Sequence, residues 1–432
     1  MPRVVIVGGG ISGLSTAHYL AKAGIRATIV ESRPRLGGVI QTEQVEGCTI
    51  EAGPDSFLSA KPAAMELIRE LGLESEVIGS NDHQRSTYIR KDGRLVRMPD
   101  GLMMMVPTKV LPLARSPLLS WGTKLRMGLE MVLPPPAKAE DESVADFIRD
   151  HYGQEAVDYL AEPLLSGIYG GDPEQLSVRS VLPRFAELAK QYGSLTRGVL
   201  ASRRKGTAEG PLFRTLRGGL QQLVDALHGA ADVVHGTAEA IEPARIRVDG
   251  DWLPADRVVL ACEAYNAAPL AGGQLGELLA GVEYTSAFIV AFGFRMAPPA
   301  GFGFLVPKKE RRRLMACTWI GNKFPHRVPE GMVVARCFLT EETGVDEVLA
   351  ELREITGIHE QPVFSCVYRW PRAMAQYPVG HAARIAEIKT LAARAGLLLA
   401  GNAYTGIGIP DCIRMGKTAA ESIILKGTQT DS

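Results

Sequence analysis

Gly8, Gly10, Gly13 and Glu31 are the residues of this chain whose types and spacing most directly imply chemistry. The glycines spell G-x-G-x-x-G around Ser12. The first suits a tight turn, the second lets backbone approach a pyrophosphate, and the third allows a helix to lie close on a strand. Glu31 follows at the distance where an acid accepts hydrogen bonds from the ribose hydroxyls of an adenosine. Arg35, just before Gly37 and Gly38, offers a guanidinium beside flexible backbone, which suits either a second phosphate contact or a solvated turn. The chemistry implied is dinucleotide binding. No nucleophile with its base is recognisable, the six cysteines show no C-x-x-C spacing, and the eight histidines form no H-x-x-x-H pair. Reduced thiols and no metal are expected.

The elements needed to hold this set are legible around it. Val4 to Val7 are consecutive β-branched residues, as in a parallel strand buried on both faces. Leu14, Ala17, Leu20 and Ala21 predict a helix over 12–23, which places the glycines at a helix N-terminus where a phosphate is favoured. Gly24 ends that helix, and 27–30 predicts a second strand closed by Glu31.

A chain of 432 residues suggests two or three domains. Its 48 basic and 48 acidic residues cancel, which argues against nucleic acid as a partner and for small molecules. The chain starts a strand at once and holds no run of about eighteen apolar residues. It is expected to stay in the cytoplasm, with peripheral contact at the inner face of the cell membrane left open.

Further along, 62–71 predicts a helix, and Asp92-Gly93 predicts a hairpin joining 87–89 to 95–98, with Arg85 at its start. Residues 102–136 are rich in methionine, leucine and proline but broken by Lys109, Arg115, Lys124 and Arg126. They fit a helical subdomain with methionine as core filler; the other reading is an adaptable surface for an apolar ligand or a bilayer. Ser143 and Asp146 predict a capped helix reaching His151, Pro163 predicts a bend, and 202–210 reads as a mobile polar loop. Residues 213–227 read as a strand, then Gly218 and Gly219, then a helix; strands are expected at 233–234, 240–241 and 257–262, with a hairpin over 245–253. From 281 to 380 strands dominate, at 287–294, 303–306, 314–319, 333–338 and 363–370, predicting an antiparallel sheet with one face on a cavity. The KKERRR run at 308–313 reads as a solvated hairpin tip, or as a cationic tip that steers an acidic substrate. A helix over 382–396 and a strand over 397–400 lead to Gly401, Asn402, Gly406 and Gly408 before a helix in which Cys412 is expected to pack.

The run E-x-x-x-R-L-G-G from Glu31 and the turn E-A-G-P-D-S-F-L from Glu51 resemble signatures of the flavin amine oxidase superfamily. E-P-L-L-S-G-I-Y-G-G-D-P from Glu162, L-S-V-R-S from Leu176 and Y-R-W-P-R-A-M-A-Q-Y-P-V-G-H from Tyr368 resemble its porphyrinogen oxidases in particular. The resemblance implies an α/β and α+β architecture. A discontinuous Rossmann-type FAD-binding domain would use 1–80, 211–268 and 382–432, a β-sheet substrate domain 81–100 and 269–381, and a helical domain 101–210, membrane-associated in some relatives. The implied reaction removes six electrons and six protons from protoporphyrinogen IX or coproporphyrinogen III, in three hydride transfers to flavin N5. Imine–enamine tautomerisation would link the rounds, and oxygen would reoxidise the flavin to give hydrogen peroxide.

The same resemblance implies site residues. FAD would be held by Gly8, Gly10, Ser12, Gly13, Glu31, Arg35, Gly37, Gly38, Gly53, Ala238, Trp370, Gly401, Gly406 and Ile407. Substrate would meet Arg85 through a propionate and Leu305 and Phe324 through its flat ring, although apolar core is the simpler reading of the last two. No residue is expected to act as a catalyst apart from the flavin. Contact with neighbouring haem-synthesis enzymes and a monomer or homodimer are compatible with the pattern. A flavin amine oxidase is the alternative enzyme, though its terminal motif differs from G-N-A-Y-T-G-I-G here; an FAD-bound scaffold without activity is the alternative of another kind.

Overall fold

The computed structural model describes residues 2–136, 138, 140–204 and 210–429. Val4–Val7, buried throughout, is the central strand of a five-stranded sheet. Ala27–Glu31 and then Ala231–His235 lie on one side of it, Arg257–Leu260 and then Leu397–Leu399 on the other, all parallel. Counted in chain order the strands run 3-2-1-4-5 across the sheet, the doubly wound arrangement of nucleotide-binding folds. Such a sheet opens a crevice where the order reverses, beyond the carboxyl ends of the strands, and that is where Val7 passes into Gly8. The helix after it spans Ile11–Lys22, starting one residue before the predicted one. The last helix, Ile409–Gln429, crosses it so closely that a Cβ on Gly416 would lie 2.5 Å from the Ser12 carbonyl oxygen.

A second sheet has seven strands in the order Phe364–Ala375, Tyr284–Arg295, Met332–Leu339, Leu314–Trp319, Gly303–Leu305, Thr87–Lys91 and Arg94–Arg97. It is antiparallel as expected except at one seam, where Gly303–Leu305 runs parallel to the Thr87 strand. The 87–97 hairpin turns at Asp92 and Gly93, both at positive φ (50° and 72°), the geometry a two-residue hairpin loop requires. Val290, Phe292 and Phe294 face a core shared with Val348 and Leu352 of the helix Val345–Thr356. Ile289 and Ala291 point the other way, towards Cys48, Ile50 and Ala52. One face is therefore sealed by a helix, and the other packs on the strand Cys48–Glu51, which pairs with Thr42–Val45. Where a hairpin was predicted over 245–253, three strands form a meander: Ala238–Glu242, Arg245–Val248 and Asp251–Pro254.

The helical layer departs from expectation in three places. Met105 and Met127 are buried as core filler, but Val110, Leu111, Trp121, Leu125, Leu129, Val132 and Leu133 are exposed, so 102–136 is not simply a core. At Pro163 the chain accommodates the missing N–H by a π-helical turn, Val157–Ala161, and then resumes as the helix Glu162–Tyr169. The expected loop at 202–210 is helical at its start, since the helix Leu195–Arg204 covers 202–204; 205–209 lie outside the described residues. The Ser143 cap is as predicted, its hydroxyl accepting the Asp146 N–H at 2.9 Å.

In the KKERRR run Lys308, Lys309 and Arg312 are exposed, as expected of a tip, but every cation is paired. Lys308 pairs with Asp172, Lys309 with Asp158, Arg311 with Glu162, Arg312 with Glu354 and Arg313 with Glu347. Glu310 accepts the N–H groups of Asp92 and Gly93. Lys308, Lys309 and Arg311 thus tie the sheet to the helical layer, and Arg312 and Arg313 tie it to the helix Val345–Thr356.

Candidate active site

The nucleotide end is built by two glycine turns laid together. Gly8 sits at φ 105° and donates its N–H to the Val30 carbonyl. A Cβ on Gly13 would fall 2.0 Å from the Gly8 oxygen, which is why helix and strand can meet only over glycine. Gly10 is different: a Cβ there would meet nothing within 4 Å, so the loop fronts open space just where backbone must approach a pyrophosphate. Gly37 donates to the Gly9 carbonyl at 2.8 Å, and a Cβ on Gly38 would lie 3.3 Å from the Gly10 Cα. Glu31 is buried; its carboxylate accepts the Gly9 N–H at 2.7 Å and the Arg33 N–H at 2.8 Å. Ala238 follows closely after His235, which pairs with Glu31 across the sheet. These residues fit a dinucleotide, with an open cradle at a helix N-terminus and an anchored acid beyond it.

Arg35 and Ser12 stand at the site with jobs already assigned. The Arg35 guanidinium donates to the carbonyls of Leu36, Gly38 and Ile40, and so shapes the 37–38 turn. Burial lowers its pKa from the usual arginine range, with Arg33 adding to the effect. The Ser12 hydroxyl meets the buried Cys412 thiol, which burial pushes up to about 11. Arg35 also lies 5.8 Å from the Trp370 ring, and Trp370 donates its indole N–H to the Ala52 carbonyl at 2.7 Å. Trp370 thus stands beside the turn holding Gly53, where a Cβ would clash with the Val39 oxygen at 1.9 Å. Arg336 donates to the Gly53 carbonyl. Burial alone would raise the Asp55 carboxyl, but Lys323 at 2.9 Å and Arg336 outweigh it and hold Asp55 well below the usual carboxylate range. Sequence reasoning missed this partly buried ionic set, because Asp55 and its partners are some 270 residues apart.

From the last strand the chain turns through Gly401 at φ 141° and Gly406 at φ 108° into the final helix. Ile407 packs on the helical core, as does Leu305 from the seven-stranded sheet. A Cβ on Gly167 would lie 3.6 Å from Leu305 Cδ2, and the neighbouring Ile168 is exposed. Leu305 and Ile407 thus reach the same core from distant parts of the chain, with Gly167 in contact distance of Leu305. Gly167 was visible only as a letter inside a motif. Phe324 is not with them; it is 1% exposed, and its ring lies beneath Lys323 and Arg327. Arg85 is exposed and makes no ion pair among the described residues. Glu162, Ser166 and Gly170, on another face of the Gly167 helix, line a separate cavity of about 460 Å³ with Lys308 and Arg311, whose charges are already matched.

Comparison with known proteins adds to this geometry. The profile of the family described as flavin containing amine oxidoreductase matches residues 11–424. The chain is 34% identical to the coproporphyrinogen III oxidase of Bacillus subtilis, covering 98% of both chains. It is 28% identical to the human protoporphyrinogen oxidase, covering 99% of both. A solved structure from Exiguobacterium sp., provisionally named a protoporphyrinogen oxidase, superposes with a TM-score of 0.88 at 30% identity, over 98% of this chain and 99% of that one.

Proposed function

The chain belongs to the flavin-containing amine oxidoreductases and, within them, to the porphyrinogen oxidases, and from that premise we propose that it uses FAD to oxidise a porphyrinogen to the porphyrin, coproporphyrinogen III ahead of protoporphyrinogen IX, with oxygen as final acceptor. The end-to-end match to the Bacillus subtilis enzyme carries this reading. The amine oxidases of known structure that it resembles, a putrescine oxidase and a cyclohexylamine oxidase, are 18% identical to it and speak for the fold alone.

Bound flavin supplies the two-electron acceptor. The chain's own residues bind, orient and exclude water. The Gly8–Gly13 loop and the helix N-terminus behind it receive the pyrophosphate, and Glu31 the adenosine ribose. The 37–38 turn braced by Arg35, the Gly53 turn braced by Trp370 and Arg336, and the 401–407 loop converge on the far end of the cofactor. Leu305, Gly167, Ile168 and Ile407 offer an apolar slot for a flat macrocycle, and the missing side chain of Gly167 leaves room for it. Arg85, exposed and without an ion pair among the described residues, is the cation for a propionate.

The exposed apolar surface of the helical layer supports a second element, contact with an anionic bilayer. Trp121, Leu125 and Leu129 stand on one face of the helix Trp121–Leu129, at 66%, 63% and 57% exposure. Lys109 and Arg115 flank the helix Val110–Arg115 and are exposed. Apolar side chains rimmed by cations suit headgroups over acyl chains.

The test of the activity is parallel feeding of coproporphyrinogen III and protoporphyrinogen IX, followed by porphyrin fluorescence. Faster turnover of coproporphyrinogen III is expected. A preference for protoporphyrinogen IX would reverse the substrate order, and turnover of neither would remove the oxidase reading.

A further inference from the structure

Three backbone groups of the loop before the last helix are gripped by two side chains from one short stretch. The Tyr377 hydroxyl donates to the Asn402 carbonyl at 2.6 Å and accepts the Gly406 N–H at 2.9 Å. His381 Nε2 lies 3.1 Å from the Tyr404 carbonyl, which fixes it as the donor. The two rings are stacked, 4.1 Å apart and 15° from parallel, and both are buried. Residues 402, 404 and 406 are therefore pinned in turn. The same stretch is tied to the opposite wall: the Tyr377 carbonyl accepts the Ser177 N–H at 2.8 Å, and the Gln376 amide donates to the Tyr169 carbonyl at 2.9 Å. Tyr169 is two residues from Gly167.

We propose that Tyr377 and His381 form a clamp that sets the backbone at Gly406 and Ile407 against the flavin, with Tyr377 as a positioning residue for hydride transfer. The inference rests on the reading that the 401–407 loop borders the flavin. A phenol has one hydrogen, so its two bonds here are of fixed sense, and one buried atom holds a carbonyl and an N–H four residues apart. Gly406 at φ 108° has no side chain of its own to define its place. Because the Tyr377 carbonyl holds Ser177 and the adjacent Gln376 holds Tyr169, the stretch relates the loop to the wall that contains Gly167. Small errors in such placement are costly, since a shift of about 1 Å between reacting atoms can lower a rate by roughly a hundredfold.

Tyr377→Phe keeps the ring and its stack and removes both bonds. The variant is expected to bind FAD within about threefold of the wild-type affinity, and to show an altered flavin absorption spectrum and midpoint potential in the absence of any porphyrinogen. The anaerobic rate of flavin reduction at saturating porphyrinogen is expected to fall by about tenfold or more while KM moves by less than about threefold. A spectrum, potential and rate equal to wild type would overturn the clamp, as would a change confined to KM. Should Tyr377→Phe fail to fold, His381→Gln, which keeps a donor for Tyr404 but loses the stacked ring, is expected to shift the spectrum in the same direction by less, and an unshifted spectrum overturns the proposal. The spectrum and potential need no porphyrinogen, so a protein that leaves porphyrinogen untouched yet shows these shifts refutes the substrate and leaves the clamp standing.

Discussion

Gly10 and Gly13 stand three residues apart and should fail in different ways when given a side chain. A Cβ at Gly13 meets the Gly8 carbonyl oxygen, so Gly13→Ala must move backbone and is expected to cost on the order of 3 kcal/mol, read as a lowered denaturation midpoint of the apoprotein. A Cβ at Gly10 meets nothing, so Gly10→Val should fold as well as wild type and purify colourless; a fully yellow Gly10→Val protein would show that this loop does not border the cofactor. Arg85→Ala is expected to raise KM roughly tenfold with flavin retained, the scale of one lost charge-assisted bond, and an unchanged KM would remove Arg85 from the substrate site. His381 titrates low, at about 4, because it is buried and Arg384 is near, against the pull of the Tyr404 carbonyl. Below about pH 6.5 the unfolded chain takes up a proton that the folded one refuses until about pH 4, so stability is full above 6.5 and falls across that window by up to roughly 3 kcal/mol. Urea midpoints at pH 7 and pH 5 should differ less in His381→Gln than in wild type. The glycine fingerprint was legible because its geometry is local. The Tyr377 and His381 contacts were not, since they end on backbone more than twenty residues away and leave no pattern in residue types.

The elements repeat that contrast between local and remote. The strands and the hairpin at Asp92-Gly93 follow from alternation and turn chemistry, whereas the role of the KKERRR segment depends on acids contributed by other elements. Arg311 and Glu162 are both nearly buried, so Glu162→Gln should leave a guanidinium without its counter-charge and lower stability by about 3 kcal/mol, measurable as a shift in the urea midpoint. The helix Trp121–Leu129 shows the limit of hydropathy. Its apolar residues are plain in the sequence, but which of them face outward is set by Glu155 and Glu130. Glu155 takes the Ser120 N–H and the Thr123 hydroxyl at one end. Glu130 takes the Ser194 hydroxyl and the Leu195 N–H at the other, and meets the His151 ring. Fixed in this way, the helix turns Met127 inward and Leu125 and Leu129 outward. Replacing both exposed leucines by aspartate should abolish co-sedimentation with anionic vesicles without lowering stability; equal co-sedimentation of variant and wild type would contradict the bilayer reading.

Across the whole molecule, chain order and spatial order diverge, and the site depends on that divergence. The parallel sheet draws its strands from the beginning, middle and end of the sequence, and in doing so brings the Gly8 loop and the 401–407 loop to the carboxyl ends of its strands. The seven-stranded sheet packs one face on the strand Cys48–Glu51, and the Glu162–Tyr169 helix brings Gly167 to Leu305. The nucleotide half could be derived from spacing and propensity, because one short stretch contains its strand, turn, helix and acid. The substrate half became legible only through resemblance, since its walls are ordinary apolar residues whose convergence no periodicity records. The central claim is that this convergence oxidises a porphyrinogen on a bound flavin. Its most direct test is anaerobic mixing of the yellow protein with coproporphyrinogen III while flavin absorbance and porphyrin fluorescence are followed together. Bleaching of the flavin is expected as fluorescence rises, with colour restored on admitting air; a flavin that stays oxidised under an excess of porphyrinogen would show that the protein is not a porphyrinogen oxidase.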